Sequence, residues 1–265
     1  MKLLFYISGL IILFTSCEKV IDVPLNDADV QTVVEAKLYD EPYQSFIKLS
    51  QSGSVYENSE FPAVSGATIT VSDDQNNSWV FTEDPAEPGM YIDTTFITQP
   101  NTTYYLTVIN GTETYTATGV TMSDVQFDSL DYQIAVGGFG QAESDTNYFT
   151  FFNFTDNGAE DNYYRIIPFK NGVRSNSWYL SDDALYNGYN FRQPFFAEEF
   201  ESGDTLLAVL ISMDKPMYTY YSSLASGQGG GPFSPTPANP VSNIEGGAIG
   251  YFGAFMTANE ILIYP

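Results

Sequence analysis

From residue 33 onward, apolar and polar side chains alternate in short runs separated by Gly, Pro, Asn and Asp. Period-two alternation over four to eight residues is the signature of half-buried strands. In the first half it predicts strands over 33–39, 46–50, 68–72, 78–82, 90–94, 103–109 and 114–119. The passage from Tyr105-Leu106-Thr107-Val108-Ile109 through Asn110-Gly111 into Thr114-Tyr115-Thr116-Ala117 predicts a hairpin, because Asn-Gly suits a type I′ turn. The pattern changes over 121–131, where a domain boundary is expected. Beyond it come longer, aromatic-rich strands at 148–156, 163–170, 177–180, 190–199 and 205–213. A helix is expected over 216–225, with Asp214 as N-cap and Pro216 in the first turn. The Gly- and Pro-rich stretch 227–240 must be loop, and strands at 250–256 and 260–264 close the chain.

The implied fold class is mainly all-β. About seven short strands with regular turns suggest an immunoglobulin-like or transthyretin-like β-sandwich over 30–122, and Pro62-Ala63-Val64-Ser65-Gly66-Ala67 resembles the entry to such bacterial modules. Residues 123–265 then form a second β-rich domain with one short helix.

The first residues read as an address. Met1-Lys2 is a short positive start, and 3–14 is apolar apart from Ser8 and Gly9. That is shorter than the roughly 20 residues a spanning helix needs and fits a secretory signal over 1–16. Phe14-Thr15-Ser16-Cys17 resembles a bacterial lipobox, in which Cys17 becomes the acylated first residue, here followed by a polar tether over 17–29. Acyl chains of the palmitate kind on Cys17 add about 0.8 kcal/mol per methylene, enough for stable anchoring.

Composition narrows the chemistry. The 265 residues include 9 Lys+Arg against 33 Asp+Glu, a net charge of −24, which argues against nucleic acid as a partner. There is no His, which excludes Ser-His-Asp and Cys-His catalysis and His-ligated zinc or haem. A single Cys excludes an internal disulfide and thiolate metal clusters, so no cofactor and no metal is expected.

The opening Cys17-Glu18-Lys19-Val20-Ile21-Asp22-Val23 and Val33-Val34-Glu35-Ala36 resemble a family of Bacteroidota lipoproteins, domain-of-unknown-function family 4249. The tail follows it more distinctively, in Phe233-Ser234-Pro235-Thr236-Pro237-Ala238-Asn239-Pro240, then Asn243-Ile244-Glu245-Gly246-Gly247, then Gly250-Tyr251-Phe252-Gly253-Ala254. The resemblance implies an outer-membrane lipoprotein, of a kind often encoded beside TonB-dependent receptors. It carries no activity.

Candidate sites each have a plain structural reading beside the functional one. Asp73-Asp74-Gln75-Asn76-Asn77 could offer oxygens to calcium, but lacks spaced ligands and reads as an exposed turn. Asp182-Asp183 and Glu198-Glu199 are carboxylate pairs, but strand neighbours point to opposite faces, so neither doublet makes an acid/base pair. Gly137-Gly138-Phe139-Gly140 lacks the context of a phosphate loop. The aromatic runs around Tyr148, Tyr163, Tyr186, Phe195 and Tyr218 are expected to be mostly core, with part of them exposed as a patch. Thr94, Ser129 and Thr205 follow Asp in triplets matching a Bacteroidota O-glycosylation sequon. Phe233, Tyr251 and Phe252 are the expected docking residues, because a Pro-rich loop can present apolar side chains rigidly.

The function expected is a non-enzymatic accessory subunit, lipid-anchored in the outer membrane with its body at the cell surface or, alternatively, on the periplasmic face. Its partner would be an outer-membrane β-barrel, a TonB-dependent receptor or a barrel-assembly component. The alternative is a surface glycan- or peptide-binding lipoprotein, with exposed Tyr or Trp such as Trp178 above polar groups. A carboxylate-dependent hydrolase ranks third.

Overall fold

A computed structural model describes residues 29–42, 44–53, 61–136, 146–177, 179–227 and 239–265. The signal, Cys17, the tether up to Ala28, Gly137 to Gly140, Trp178 and Phe233 lie outside the described residues. The first half supplies β1 (Thr32–Leu38), β2 (Phe46–Gln51), β3 (Thr68–Asp73), β4 (Ser78–Glu83), β5 (Met90–Ile92), β6 (Thr103–Asn110) and β7 (Glu113–Val120). The second supplies β8 (Ser129–Val136), β9 (Thr146–Thr155), β10 (Tyr163–Lys170), β11 (Val173–Arg174), β12 (Tyr179–Asp182), β13 (Asn190–Phe195) and β14 (Thr205–Met213). Helix α1 (Lys215–Gly227), β15 (Ile249–Ala254) and β16 (Met256–Ile263) follow. The chain is an all-β protein with one helix among the described residues.

Seven strands of the first half and one from the far end of the chain form a hydrogen-bonded path in the order β15-β1-β2-β5-β4-β3-β6-β7. The path curls until its ends meet. Gly119 of β7 lies against Phe252 of β15, so closely that a Cβ there would stand 3.3 Å from the ring. Alternation does the rest: Val34, Ile47, Leu49, Ile69, Val71 and Phe81 point inward and are fully or almost fully buried. Each such side chain contributes about 2 kcal/mol of transfer free energy.

β15 runs parallel to β1, with Val34 opposite Gly250 and Leu38 opposite Ala254. The approach is tight, because a Cβ on Gly250 would fall 2.0 Å from the Val34 carbonyl oxygen, and its φ is +125°. Only glycine fits there.

The second half makes two sheets, β11-β10-β14-β16 with β12 also on β10, and β13-β9-β8. They enclose an aromatic core of Phe152, Phe154, Tyr164, Phe195, Phe200 and Tyr264. A third apolar cluster joins the two halves, with Ile211, Met213, Met217 and Tyr221 from β14 and α1 packed on Tyr251 and Phe255. Polar bonds cross the same join. Thr98 Oγ1 donates to the Phe255 carbonyl at 2.8 Å, and the Thr257 backbone N–H and hydroxyl both donate to Asp40.

Several elements depart from the sequence reading. The 105–117 hairpin forms, but Asn110 pairs with Glu113, so Gly111 and Thr112 are the turn residues. Gly111 has φ of +62° and Thr112 does not share a positive φ, the pattern of type II′ rather than I′. β8 starts within the stretch assigned to a boundary, since Leu130 and Tyr132 alternate inward against β9. β13 ends at Phe195 instead of running to 199. The closing strand expected in the second domain, β15, belongs to the first sheet. α1 starts where expected, with the Asp214 carboxylate accepting from the Met217 N–H as an N-cap.

Candidate functional site

Strand β14 reads Thr-Leu-Leu-Ala-Val-Leu-Ile-Ser-Met, apolar at both parities. A strand with that composition is expected to be covered on both faces. One face is covered along its length, where Leu206, Ala208 and Leu210 are fully buried in the core shared with the three-stranded sheet. The other face carries Leu207, Val209 and Ile211. Register places Phe169 of β10 and Ile261 of β16 on either side of Leu207, Ile167 and Asn259 beside Val209, and Arg165 and Thr257 beside Ile211.

α1 covers only the Ile211 end of this second face, through Met217, Tyr218 and Tyr221. Towards Leu207 the sheet stays open. The turn after β1 rises beside it with Tyr39, Glu41 and Gln44, leaving a groove of about 520 Å³ floored by Ile167, Phe169, Leu207, Val209 and Ile261. Ile261 is 62 % and Ile263 65 % exposed, unusual for isoleucines so close together.

At the covered end the electrostatics are distinctive for so acidic a chain. Arg165 is 7 % exposed, and its guanidinium sits 4.4 Å from the centre of the Tyr221 ring. The Lys37 ammonium lies 5.4 Å from the Tyr251 ring centre. Burial, with the Arg165 charge adding to it, brings the Lys37 ammonium down to about 8. Burial likewise pushes the phenols of Tyr39, Tyr221 and Tyr251 well above the usual tyrosine range. These groups hold the helix against the sheet by cation–π and aromatic contact in a drier setting than the open groove.

The residues singled out in the sequence fall elsewhere. Tyr251 is 6 % exposed in the joining cluster and Phe252 is fully buried in the sandwich core, so neither presents a docking surface; the strand pairing of β15 on β1 turns them inward. Phe233, the third expected docking residue, lies outside the described residues. The tail glycines answer to packing, since Cβ atoms at Gly246, Gly250 and Gly253 would each strike a neighbour at under 2.5 Å.

Asp73 uses its carboxylate to build the 73–77 turn, accepting from the N–H groups of Gln75 and Asn77 and from the Asn77 amide. Asp183 accepts from the Asn162 N–H and Asp182 from the Ala184 N–H, so both act locally. Of the three sequon residues, Thr94 is exposed in a turn. Ser129 accepts from the Asn153 amide and Thr205 donates to Asn171, each partly buried in a strand. Most of the aromatic runs are core, but Phe149, Tyr189 and Phe196 are exposed, with Phe149 and Phe196 in edge contact at 6.3 Å.

The family model described as a domain of unknown function, DUF4249, matches residues 18–261. The chain belongs to this family. No curated protein matches it. The matched span takes in both halves and both ends of the β1–β15 pair, so the strand that unites the chain lies inside the family's own unit. The open face of β14 was missed in the sequence, although a signal was present: the run 205–213 is apolar at odd and even positions alike.

Proposed function

We propose that this chain is a non-enzymatic accessory subunit, lipid-anchored at Cys17 in the outer membrane, that docks through the outer face of its β10-β14-β16 sheet onto an outer-membrane β-barrel protein. The observation that carries the reading is β14, apolar on both faces and covered along its whole length on only one. The lipobox-like run ending at Cys17 supports the anchor, and among the described residues no helix is long and apolar enough to cross a membrane. A TonB-dependent receptor or a barrel-assembly component is the partner expected. A second copy of the chain is disfavoured by the net charge of −24 on each molecule. Glu41 at the groove rim suits a partner with an apolar centre and a basic edge.

The test is recovery of the tagged protein from native outer membranes in mild detergent, followed by mass spectrometry. A barrel protein in stoichiometric amount supports the proposal, and Ile261→Asp should abolish its recovery while the variant still folds. Emergence of the wild-type protein alone, or equal recovery with Ile261→Asp, overturns it.

A further inference from the structure

The first sandwich carries a second unassigned surface, of opposite character. Across β4, β3, β6 and β7 the outward side chains form rows set by the strand register. Ser78, Ser72, Tyr105 and Thr118 stand side by side in one row. Val80, Thr70, Thr107 and Thr116 make the next. Thr68, Ile109 and Thr114 make a third. None of these positions is charged, although the chain has 33 acidic and 9 basic residues.

A groove of about 490 Å³ crosses this face where the segment 242–245 lies along β7. The segment is held there by reciprocal backbone bonds between Thr116 and Glu245, at 3.2 and 2.8 Å, and by the Asn243 amide, which bonds both backbone groups of Phe252. Gly246 permits the approach, since a Cβ would fall 2.2 Å from the Thr114 carbonyl. Tyr105, 43 % exposed, forms the floor with Thr107, Thr116 and Thr118, and Glu245 stands exposed in the wall. Among the described residues, the hydroxyls of this floor hydrogen-bond to no other protein group.

We infer that this groove binds a neutral carbohydrate. A sugar ring offers apolar C–H faces and a fringe of hydroxyls. Tyr105 supplies an aromatic plane for the first. The Thr hydroxyls, each donor and acceptor, and the acceptor-only Glu245 carboxylate supply partners for the second. An anionic polymer finds no cation here and is repelled by the body of the protein. A protein partner fits less well, because interface anchors are aromatic or Arg, and threonine is poorly represented among them. This surface lies on a different sheet from the docking face, so either role stands without the other.

The experiment presents the full-length protein, in detergent, to an array of neutral oligosaccharides (glucans, mannans, galactans and xylans) with a uronic-acid polymer as the charged comparison. Binding to at least one neutral series is expected, with none to the uronic-acid polymer. Tyr105→Ala should weaken it about tenfold, the scale of one lost stacking contact, and Thr116→Val should weaken it without changing shape. Both variants should keep the wild-type melting temperature. Ile261→Asp should leave sugar binding intact, which separates this test from the pull-down. Failure to bind any neutral series, preference for the uronic-acid polymer, or unchanged binding by Tyr105→Ala overturns the inference.

Discussion

Asp214 accepts a hydrogen bond from the Val120 backbone N–H at 3.0 Å, across 94 positions of sequence. Its other oxygen accepts from the Met217 N–H at 3.0 Å and caps α1. One carboxylate thus ties the last strand of the first half to the only helix among the described residues. Its burial raises its proton affinity despite both bonds. Asp214→Ala removes a cap and strands a buried N–H, so a loss of about 2 kcal/mol is expected by urea unfolding. Asp214→Asn, which keeps one acceptor oxygen, should recover part of it.

The two parities of β14 should separate in energy. Leu206→Ala empties a fully buried site and should cost about 3 kcal/mol. Leu207→Ala, on the open face, should cost less than half of that. Ile261→Asp should stay within about 0.5 kcal/mol of wild type, being a surface change. Equal costs for Leu206 and Leu207 would show that the outer face is already covered in the isolated protein.

Glycines in the tail should differ by what stands opposite. Gly250→Ala would drive a methyl into the Val34 carbonyl and should leave little folded protein on expression. Gly247→Ala, with φ of +94° and nothing within 4 Å, carries only backbone strain, about 1 kcal/mol or somewhat more. Melting temperatures of the two variants decide this.

Alkaline stability should change direction near pH 10. The Lys37 ammonium titrates at about 8 in the fold against its ordinary value of 10.5. Between those values the unfolded chain holds the extra proton, so this group makes stability rise with pH. Tyr186, Tyr220 and Tyr264 are pushed up to about 12, mainly by burial. Their contribution is fully present below about pH 10, the unfolded tyrosine value, and is lost as pH rises through about 12. Urea unfolding from pH 7 to 11 should show the rise vanish in Lys37→Met while the fall above pH 10 remains.

What the sequence disclosed was what neighbouring residues decide. Strand parity in β1 to β7 follows from local alternation, and the α1 start follows from Asp214 three residues before Met217. The hairpin at Gly111 was legible as a turn but not in type, because the pairing of Asn110 with Glu113 is chosen by the whole β6–β7 ladder. Partners far away in the chain were not legible at all. Nothing near Gly246 or Gly250 announces Thr114 or Val34 as the atoms they must clear. The same holds for Tyr251 and Phe252: their apolar, apparently presentable side chains are turned inward by β1. The Tyr105 groove needed β6, β7 and 242–245 in one place, which no local pattern contains.

The parallel pairing of β1 with β15 also sets an order of events. A chain that emerges from its N-terminus delivers β1 first and β15 almost last. Until then β1 has β2 on one side and an open backbone edge on the other, an invitation to pair with any passing strand. Contacts of such long range also close slowly. Maturation therefore waits on the C-terminus, and a chain truncated before Ile249 should persist as a chaperone client rather than as a smaller folded module.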